Sequence, residues 1–350
     1  MRVPSHFIGA CLALLLSCNA FAGTGFDKDR LALLDSRLDR YVEDGQLAGG
    51  VLYVSQGGNV VVHKAFGWQD IEAQVPMQKR SLHRIASQTK ALTSVAIMML
   101  VEQGDLLIND PLSKYFPEWE NTTVAVADDK VELGYRLEPA QRSITIRDLL
   151  THTAGVNYGW GLALTAWQEA GIIGWYFAAD EEPLREKIRR MASLPHAAHP
   201  GDAFVYGYST DILGALVEHI SGQSLGKFLK IRLFDPLNMA DTHFFVPLSA
   251  QSRLTTVYAS AEAGLERQAE AKEITAPERD SFYFGQGHYL QGQIGGTRSH
   301  SGGAGAVSTA ADYGRFLEML RLGGTIDGRR ILGRKTIELM TTNHLAPNVH

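Results

Sequence analysis

The segment from Ala91 to Val101 is almost wholly apolar and constrains the fold more than any other part of this chain. Its large apolar side chains fall on every face of a helix instead of forming one stripe. A helix that is apolar all round is buried inside a domain, so we predict a helix that runs through the middle of a large core. Gly104 follows the segment, and glycine is typical of the position that ends a helix.

A serine and a lysine, Ser87 and Lys90, lie three residues apart where this helix begins. Residues at this spacing share a helix face, with Cβ atoms about 5–6 Å apart, so the hydroxyl and the amine can meet. A lysine in a buried helix is partly desolvated, which favours a neutral amine able to take the hydroxyl proton. The backbone N–H of Ser87 is a candidate donor to an oxyanion. The alternative interpretation is an N-cap serine with a lysine that reaches solvent.

The same four-residue spacing occurs a second time, at Ser224 and Lys227. So short a pattern is expected about once by chance in a chain of this length. Ser224 follows a glycine-containing turn and precedes an amphipathic stretch, so we interpret its hydroxyl as a helix N-cap and place Lys227 on a solvated face.

Composition excludes several classes of function. The 350 residues carry a net charge of −5. Proteins that bind nucleic acid carry an excess of basic residues, and this composition has none. The two cysteines, Cys11 and Cys18, lie near the N-terminus, so the rest of the chain has no disulfide framework, thiol nucleophile or cysteine-based metal site. No zinc-peptidase helix motif, phosphate-binding glycine loop or nucleophile-elbow motif occurs. We therefore expect neither a metal nor a cofactor.

The N-terminal residues have the pattern of a secretion signal. Arg2 precedes an apolar run over residues 7–16, and Ala20-Phe21-Ala22 is typical of a cleavage site. The run is too short for a stable membrane span. We predict that residues 1–22 are a signal peptide and that the protein is periplasmic or secreted. The alternative is a lipoprotein anchored through Cys18, because residues 15–18 resemble a lipoprotein cleavage box.

Periodicity predicts the remaining elements in outline. We expect a hairpin around Gly57-Gly58, a polar loop with short strands over residues 121–142, and mostly loop over residues 249–300. Helices are predicted at residues 27–41, at about 210–220, from near 224, at 310–321 and at 334–341.

A second sequence box follows the turn Pro200-Gly201. Phe204, Tyr206 and Tyr208 alternate as in a strand, and a helix start comes directly after them. Taken alone, the alternation is also typical of core aromatic residues.

These boxes together resemble the serine β-lactamase and penicillin-binding-protein superfamily, and most closely the class C β-lactamase-like carboxylesterases of family VIII. The resemblance rests on Ser87-x-x-Lys90, the Tyr206 box, and two further stretches that are common in these proteins, residues 146–155 and 302–312. It covers nearly all of residues 27–345.

The resemblance implies an α+β fold of the β-lactamase/transpeptidase type, in which an antiparallel sheet is flanked by helices and joined to a helical domain. By this resemblance, residues 23–112 and 222–350 form the sheet domain and residues 113–221 the mostly helical one. Ser87 would be the acylated nucleophile, Lys90 and Tyr206 its proton-transfer groups, and the Ser87 N–H an oxyanion donor.

Two departures from the family pattern matter. Tyr208 stands where class C β-lactamases have an asparagine, which favours an esterase over a β-lactamase. A third box, of the Lys-Thr-Gly, His-Thr-Gly or Trp-Gly-Gly type, should follow the helix around residues 337–340, and Lys335-Thr336-Ile337 lacks its glycine. We therefore expect the C-terminal strands of the sheet, and the oxyanion donor they carry, to be missing.

The sequence thus predicts an exported serine hydrolase that forms an acyl-enzyme, with a small ester as its substrate. The alternatives are amide chemistry, as in a β-lactamase, D-aminopeptidase or D,D-peptidase, or an inactive homologue that only binds its ligand. No nucleic-acid partner and no stable membrane span are expected. The oligomeric state has no readable signal.

Overall fold

The structure is a computed structural model that describes residues 26–172, 182–262, 264–268, 299–347 and 349. The predicted signal peptide lies outside the described residues, as does most of the stretch 249–300 predicted to be loop. Among the residues described, each helix is too short or too polar to cross a bilayer.

An N-terminal helix and a three-stranded antiparallel sheet form the first part of the fold. Helix α1 (Lys28–Glu43) is capped by the Asp27 carboxylate, and β1 (Gly49–Gln56), β2 (Asn59–Asp70) and β3 (Val75–Pro76) follow. Gly57 and Gly58 have φ angles of 57° and 85°, the positive values that a tight two-residue hairpin turn requires. The predicted hairpin is confirmed.

The predicted buried helix is helix α2 (Thr89–Gln103), which ends at Gly104 with a φ of 80°. Leu92, Val95 and Ile97 are completely buried. One cluster of buried apolar side chains joins α2 to the helices Leu184–Met191, Ser209–Ser221 and Ala310–Arg321. Since α2 lies inside this cluster, its first turn is held in a fixed position relative to the surrounding elements.

Four of the nine described α-helices lie between residues 113 and 221, as does a pair of short antiparallel strands. The elements here are β5 (Thr123–Ala127), β6 (Tyr135–Pro139), α3 (Ile146–Leu150), α4 (Leu164–Glu169), α5 (Leu184–Met191) and α6 (Ser209–Ser221). The short strands expected within residues 121–142 are confirmed. The division into two domains stays a prediction.

The later part of the described chain returns to the neighbourhood of the three-stranded sheet. It contains α7 (Leu225–Leu229), β7 (Tyr258–Ala261), β8 (Gly264–Arg267), β9 (Val307–Ser308), α8 (Ala310–Arg321), β10 (Thr325–Ile326), β11 (Arg329–Arg330) and α9 (Arg334–Met340). The Ser224 hydroxyl accepts a hydrogen bond from the N–H of Lys227, as predicted for an N-cap. The β7–β8 hairpin lies in a stretch predicted to be mostly loop. The expectation that further C-terminal strands are missing stays a prediction.

A two-residue strand pair brings distant parts of the chain together. Strand β4 (His83–Arg84) pairs antiparallel with β9, so that His83 lies opposite Ser308. The pairing continues in a hydrogen bond from the Ile85 N–H to the Ala306 carbonyl, 3.0 Å long. The loop 301–306 is thereby placed beside the start of α2.

Candidate active site

Ser87 lies in a short 3₁₀ turn (Ala86–Gln88) directly before α2. The helix thus begins at Thr89, two residues later than the sequence suggested, and the Ser87 side chain is exposed. Ala86 has a φ of 45°, in the left-handed region that non-glycine residues rarely adopt. The turn therefore presents the hydroxyl at the surface on top of a buried helix.

Lys90 reaches back over this turn to Ser87, as the spacing predicted. Its Nζ donates hydrogen bonds to Ser87 Oγ at 3.1 Å, to the Gly303 carbonyl at 2.8 Å and to the Tyr158 hydroxyl at 3.3 Å. These three acceptors fix the amine close to the serine oxygen.

Tyr206 completes the group on the other side of the serine. Its hydroxyl donates to Ser87 Oγ at 2.8 Å, and Lys90 Nζ lies 4.6 Å from the centre of its ring. The structure thus brings together all three side chains that the sequence singled out. Their catalytic roles stay a prediction.

The backbone around Tyr206 is irregular, so the strand-like alternation of residues 204–208 does not correspond to a strand. The Val205 N–H donates to the His152 carbonyl at 2.7 Å, which ties this stretch to the segment after α3. A Cβ at Gly207 would lie 2.4 Å from the Cα of Asn157, so only glycine allows this approach. Tyr208 is not in the site but is fully buried at the N-cap of α6.

His152 lies in the stretch 146–155 that is common in the family, and it packs against the site. Its ring centre lies 4.8 Å from that of Tyr206. Burial, with a further contribution from the Lys90 charge, lowers the pKa of His152 to about 4. The ring is therefore neutral near pH 7 and serves Tyr206 as a packing surface.

Tyr158 was missed because nothing local distinguishes it from a core aromatic residue. It is 5% exposed, and its pKa is raised, chiefly by burial and then by the charge of Asp211. Tyr158 is therefore a neutral phenol that accepts a stable hydrogen bond from Lys90.

Asp211 was missed as well, although a carboxylate among the apolar residues of α6 was a usable signal. It is fully buried, and its Oδ1 accepts hydrogen bonds from Ser301 Oγ at 2.7 Å and from the Gly303 N–H at 3.3 Å. Burial raises the pKa of this carboxyl to about 6, against the opposing effects of the Ser301 hydrogen bond and the Lys90 charge. Within the described residues, no group of three metal-ligating side chains lies close enough to hold an ion.

Comparison with known proteins identifies the family. The family model named Beta-lactamase matches residues 34–349. The chain belongs to the beta-lactamase family. The resemblance inferred from the sequence boxes is thereby confirmed, as is the β-lactamase/transpeptidase-like α+β fold.

Individual relatives of this beta-lactamase-family chain include an esterase. The chain is 35% identical to Protein Rv1367c of Mycobacterium tuberculosis over 307 residues, which are 86% of this chain and 69% of that protein. It is 31% identical to Esterase EstB of Burkholderia gladioli over 310 residues, 85% of this chain and 72% of that protein. A solved structure, EstCE1, described as a hydrolase with promiscuous acyltransferase activity, has a TM-score of 0.71 and 28% identity, covering 89% of this chain and 76% of that one. The chain is therefore a serine hydrolase of the beta-lactamase family.

Proposed function

We propose that this protein is a carboxylesterase that acts on small esters through an acyl-enzyme on Ser87. The observation that carries the proposal is the position of Ser87 Oγ, which lies 2.8 Å from the Tyr206 hydroxyl and 3.1 Å from Lys90 Nζ. A serine oxygen within reach of two proton-transfer groups is the arrangement that nucleophilic catalysis requires. The relatives named as esterases support an ester as the substrate.

In acylation, Ser87 Oγ attacks the ester carbonyl carbon and its proton passes to the Lys90–Tyr206 pair. The pair acts as a base in the state that has lost one proton, and it returns that proton to the departing alkoxide. The Ser87 N–H donates to the oxyanion of the tetrahedral intermediate. Water then attacks the acyl carbon, its proton moves to the same pair, and Ser87 leaves with that proton restored.

The neighbourhood of Tyr208 supports ester rather than β-lactam hydrolysis. Tyr208 occupies the position where class C β-lactamases have an asparagine amide, and its ring is buried between Tyr158 and Trp167, with centre distances of 4.8 Å and 6.0 Å. This position therefore presents no amide to the side chain of a lactam. Two large apolar residues beside the site, Trp160 and Phe204, are about half exposed, at 44% and 45%, and suit an uncharged ester.

Fluorophosphonate labelling and hydrolysis of p-nitrophenyl acetate and nitrocefin test the proposal on the full chain. We expect labelling and ester hydrolysis in the parent protein, and neither in Ser87→Ala. Ser224→Ala is the matched control, because it alters the second serine of the same spacing but removes only a helix N-cap, which costs about 1 kcal/mol of stability.

Each other result has a definite meaning. Undiminished labelling of Ser87→Ala would place the nucleophile elsewhere. Faster turnover of nitrocefin than of the ester would favour β-lactam chemistry over the esterase proposal. A folded parent protein that takes up no label would support a homologue that only binds its ligand.

We also propose that residues 1–22 direct export and are removed after Ala22. The support is the basic Arg2, the apolar run and the small residues before Gly23. Expression in a Gram-negative host, followed by fractionation and mass measurement, is expected to show a periplasmic chain that begins at Gly23. A membrane-bound form that Cys18→Ser releases would favour the lipoprotein instead, and an uncut cytoplasmic chain would contradict both.

A further inference from the structure

The loop 301–306 forms one wall of the site and is attached to helix α2 at three points. Thr89 Oγ1 accepts from the Ala306 N–H at 3.0 Å, Lys90 Nζ donates to the Gly303 carbonyl at 2.8 Å, and Thr93 Oγ1 donates to the Gly302 carbonyl at 2.8 Å. Because residues four apart share a helix face, Thr89 and Thr93 fix the loop on either side of Lys90.

Asp211 holds the same loop from the side of helix α6. Its Oδ1 accepts from the Ser301 hydroxyl and from the Gly303 N–H, at 2.7 Å and 3.3 Å. A Cβ at Gly303 would lie 2.4 Å from Asp211 Oδ2, so the carboxylate fits directly against a residue without a side chain. Gly303 therefore joins the two charged groups, with its N–H on Asp211 and its carbonyl on Lys90.

A carboxylate buried in this position has an energetic cost that another interaction must offset. A buried charge is costly, and apolar residues of similar volume often pack as well or better in its place. Among the described residues, the titratable groups that interact with Asp211 are Lys90 on α2, Tyr158 after α3 and Tyr208 before α6. Of these three, Lys90 is the one whose charge compensates the carboxylate. The negative charge is thus placed to support the ammonium of Lys90 and the loop that binds it.

Building on the hydrolase site proposed above, we propose that Asp211 is a positioning residue that fixes the Gly303 carbonyl against Lys90 and so holds the amine at Ser87. It touches neither the substrate nor the reacting atoms. Its ionisation therefore acts on catalysis through the loop 301–306.

The pH profile of kcat/KM for p-nitrophenyl acetate tests this role. In the parent chain we expect activity to fall as the pH drops through about 6, because protonated Asp211 no longer holds the loop as a charged acceptor. Asp211→Asn cannot titrate, so this acid limb should disappear. The plateau should fall about tenfold, as is typical when one hydrogen bond to a charged group is weakened.

Ser301→Ala is a milder variant that tests the same idea if Asp211→Asn folds poorly. The Ser301 hydrogen bond lowers the pKa of Asp211, so its loss raises that pKa. The acid limb should then move to higher pH while most of the plateau activity remains. A purely structural role for Asp211 would lower the melting temperature without moving the limb.

Asp312→Asn is the matched control, since Asp312 is a half-buried carboxylate that accepts from the Asp241 N–H at 2.8 Å and from Thr242 Oγ1 at 3.0 Å, away from the site. It should lower the melting temperature and leave the acid limb in place.

Parent-like pH profiles in both Asp211→Asn and Ser301→Ala would overturn the proposal. If Ser87→Ala keeps its activity, the proposed hydrolase site itself is wrong, whatever the Asp211 variants show.

Discussion

Two residues at the candidate active site adopt a backbone conformation that is unfavourable for them. Ala86 and His152 have φ angles of 45° and 56°, in the left-handed region, which costs about 1–3 kcal/mol at each position. Such strain persists only where the surroundings enforce it, and it is common at active sites. Here it turns Ser87 outward and places the His152 ring against Tyr206. Neither angle could be predicted from the sequence, because neither residue is glycine or asparagine.

Tyr206→Phe isolates the contribution of a single hydroxyl. The variant removes the group that donates to Ser87 Oγ but keeps the ring that packs on His152. We expect kcat for ester hydrolysis to fall by about 10²–10⁴, as is typical for loss of a proton-transfer group, with an unchanged melting temperature. Tyr258→Phe, which removes a hydroxyl bonded to the Ile71 N–H at 2.8 Å, is the control and should keep the parent kcat. Parent-like turnover by Tyr206→Phe would exclude Tyr206 from proton transfer.

Elements with a strong local pattern were the predictable part of the fold. Helix α2 follows from an apolar segment ended by a glycine, and the β1–β2 hairpin follows from alternation around Gly57-Gly58. The β4–β9 pair was not predictable, because it consists of two residues on each side that are more than two hundred positions apart. The stretch 204–208 is not a strand although an aromatic residue occupies every second position. Phe204 and Tyr206 are both exposed and Tyr208 is buried, so these residues do not follow the burial pattern of a strand.

The site itself was predictable only as far as its residues form sequence boxes. Ser87, Lys90 and Tyr206 lie in such boxes and come together as expected. Tyr158 and Asp211 reach Lys90 and Gly303 through contacts between distant segments, and no spacing pattern encodes such contacts. The family resemblance supplied what periodicity could not, namely that these boxes meet around one serine.

At the scale of the whole molecule, histidines shielded from solvent make folding sensitive to acid. Three of the described histidines stand out: His196 is buried, and His152 and His300 are partly buried. Burial is the main cause that lowers the pKa values of His152, His196 and His300 to about 4, from 6.5. Between pH 6.5 and pH 4 the unfolded chain binds protons that the folded chain does not, so stability falls as the pH decreases through this range. Asp211 acts in the opposite direction, because its raised pKa of about 6 lets the folded state bind a proton more readily.

His196→Phe separates one histidine from the other groups. The phenyl ring can keep the stacking on Trp119, where the ring centres lie 5.5 Å apart, but it cannot titrate. As the pH decreases from 7.5 to 5.5, the free energy of unfolding should fall in both proteins, and by about 1 kcal/mol more in the parent than in the variant. The extra fall arises because His196 has a lower pKa in the folded chain than in the unfolded chain. The substitution also alters the packing at this position, which shifts the free energy of unfolding by the same amount at every pH. Urea unfolding at several pH values distinguishes the two effects, since altered packing shifts the whole curve and the lost titration changes its slope. Equal slopes in parent and variant would mean that His196 is protonated equally in the folded and unfolded chains.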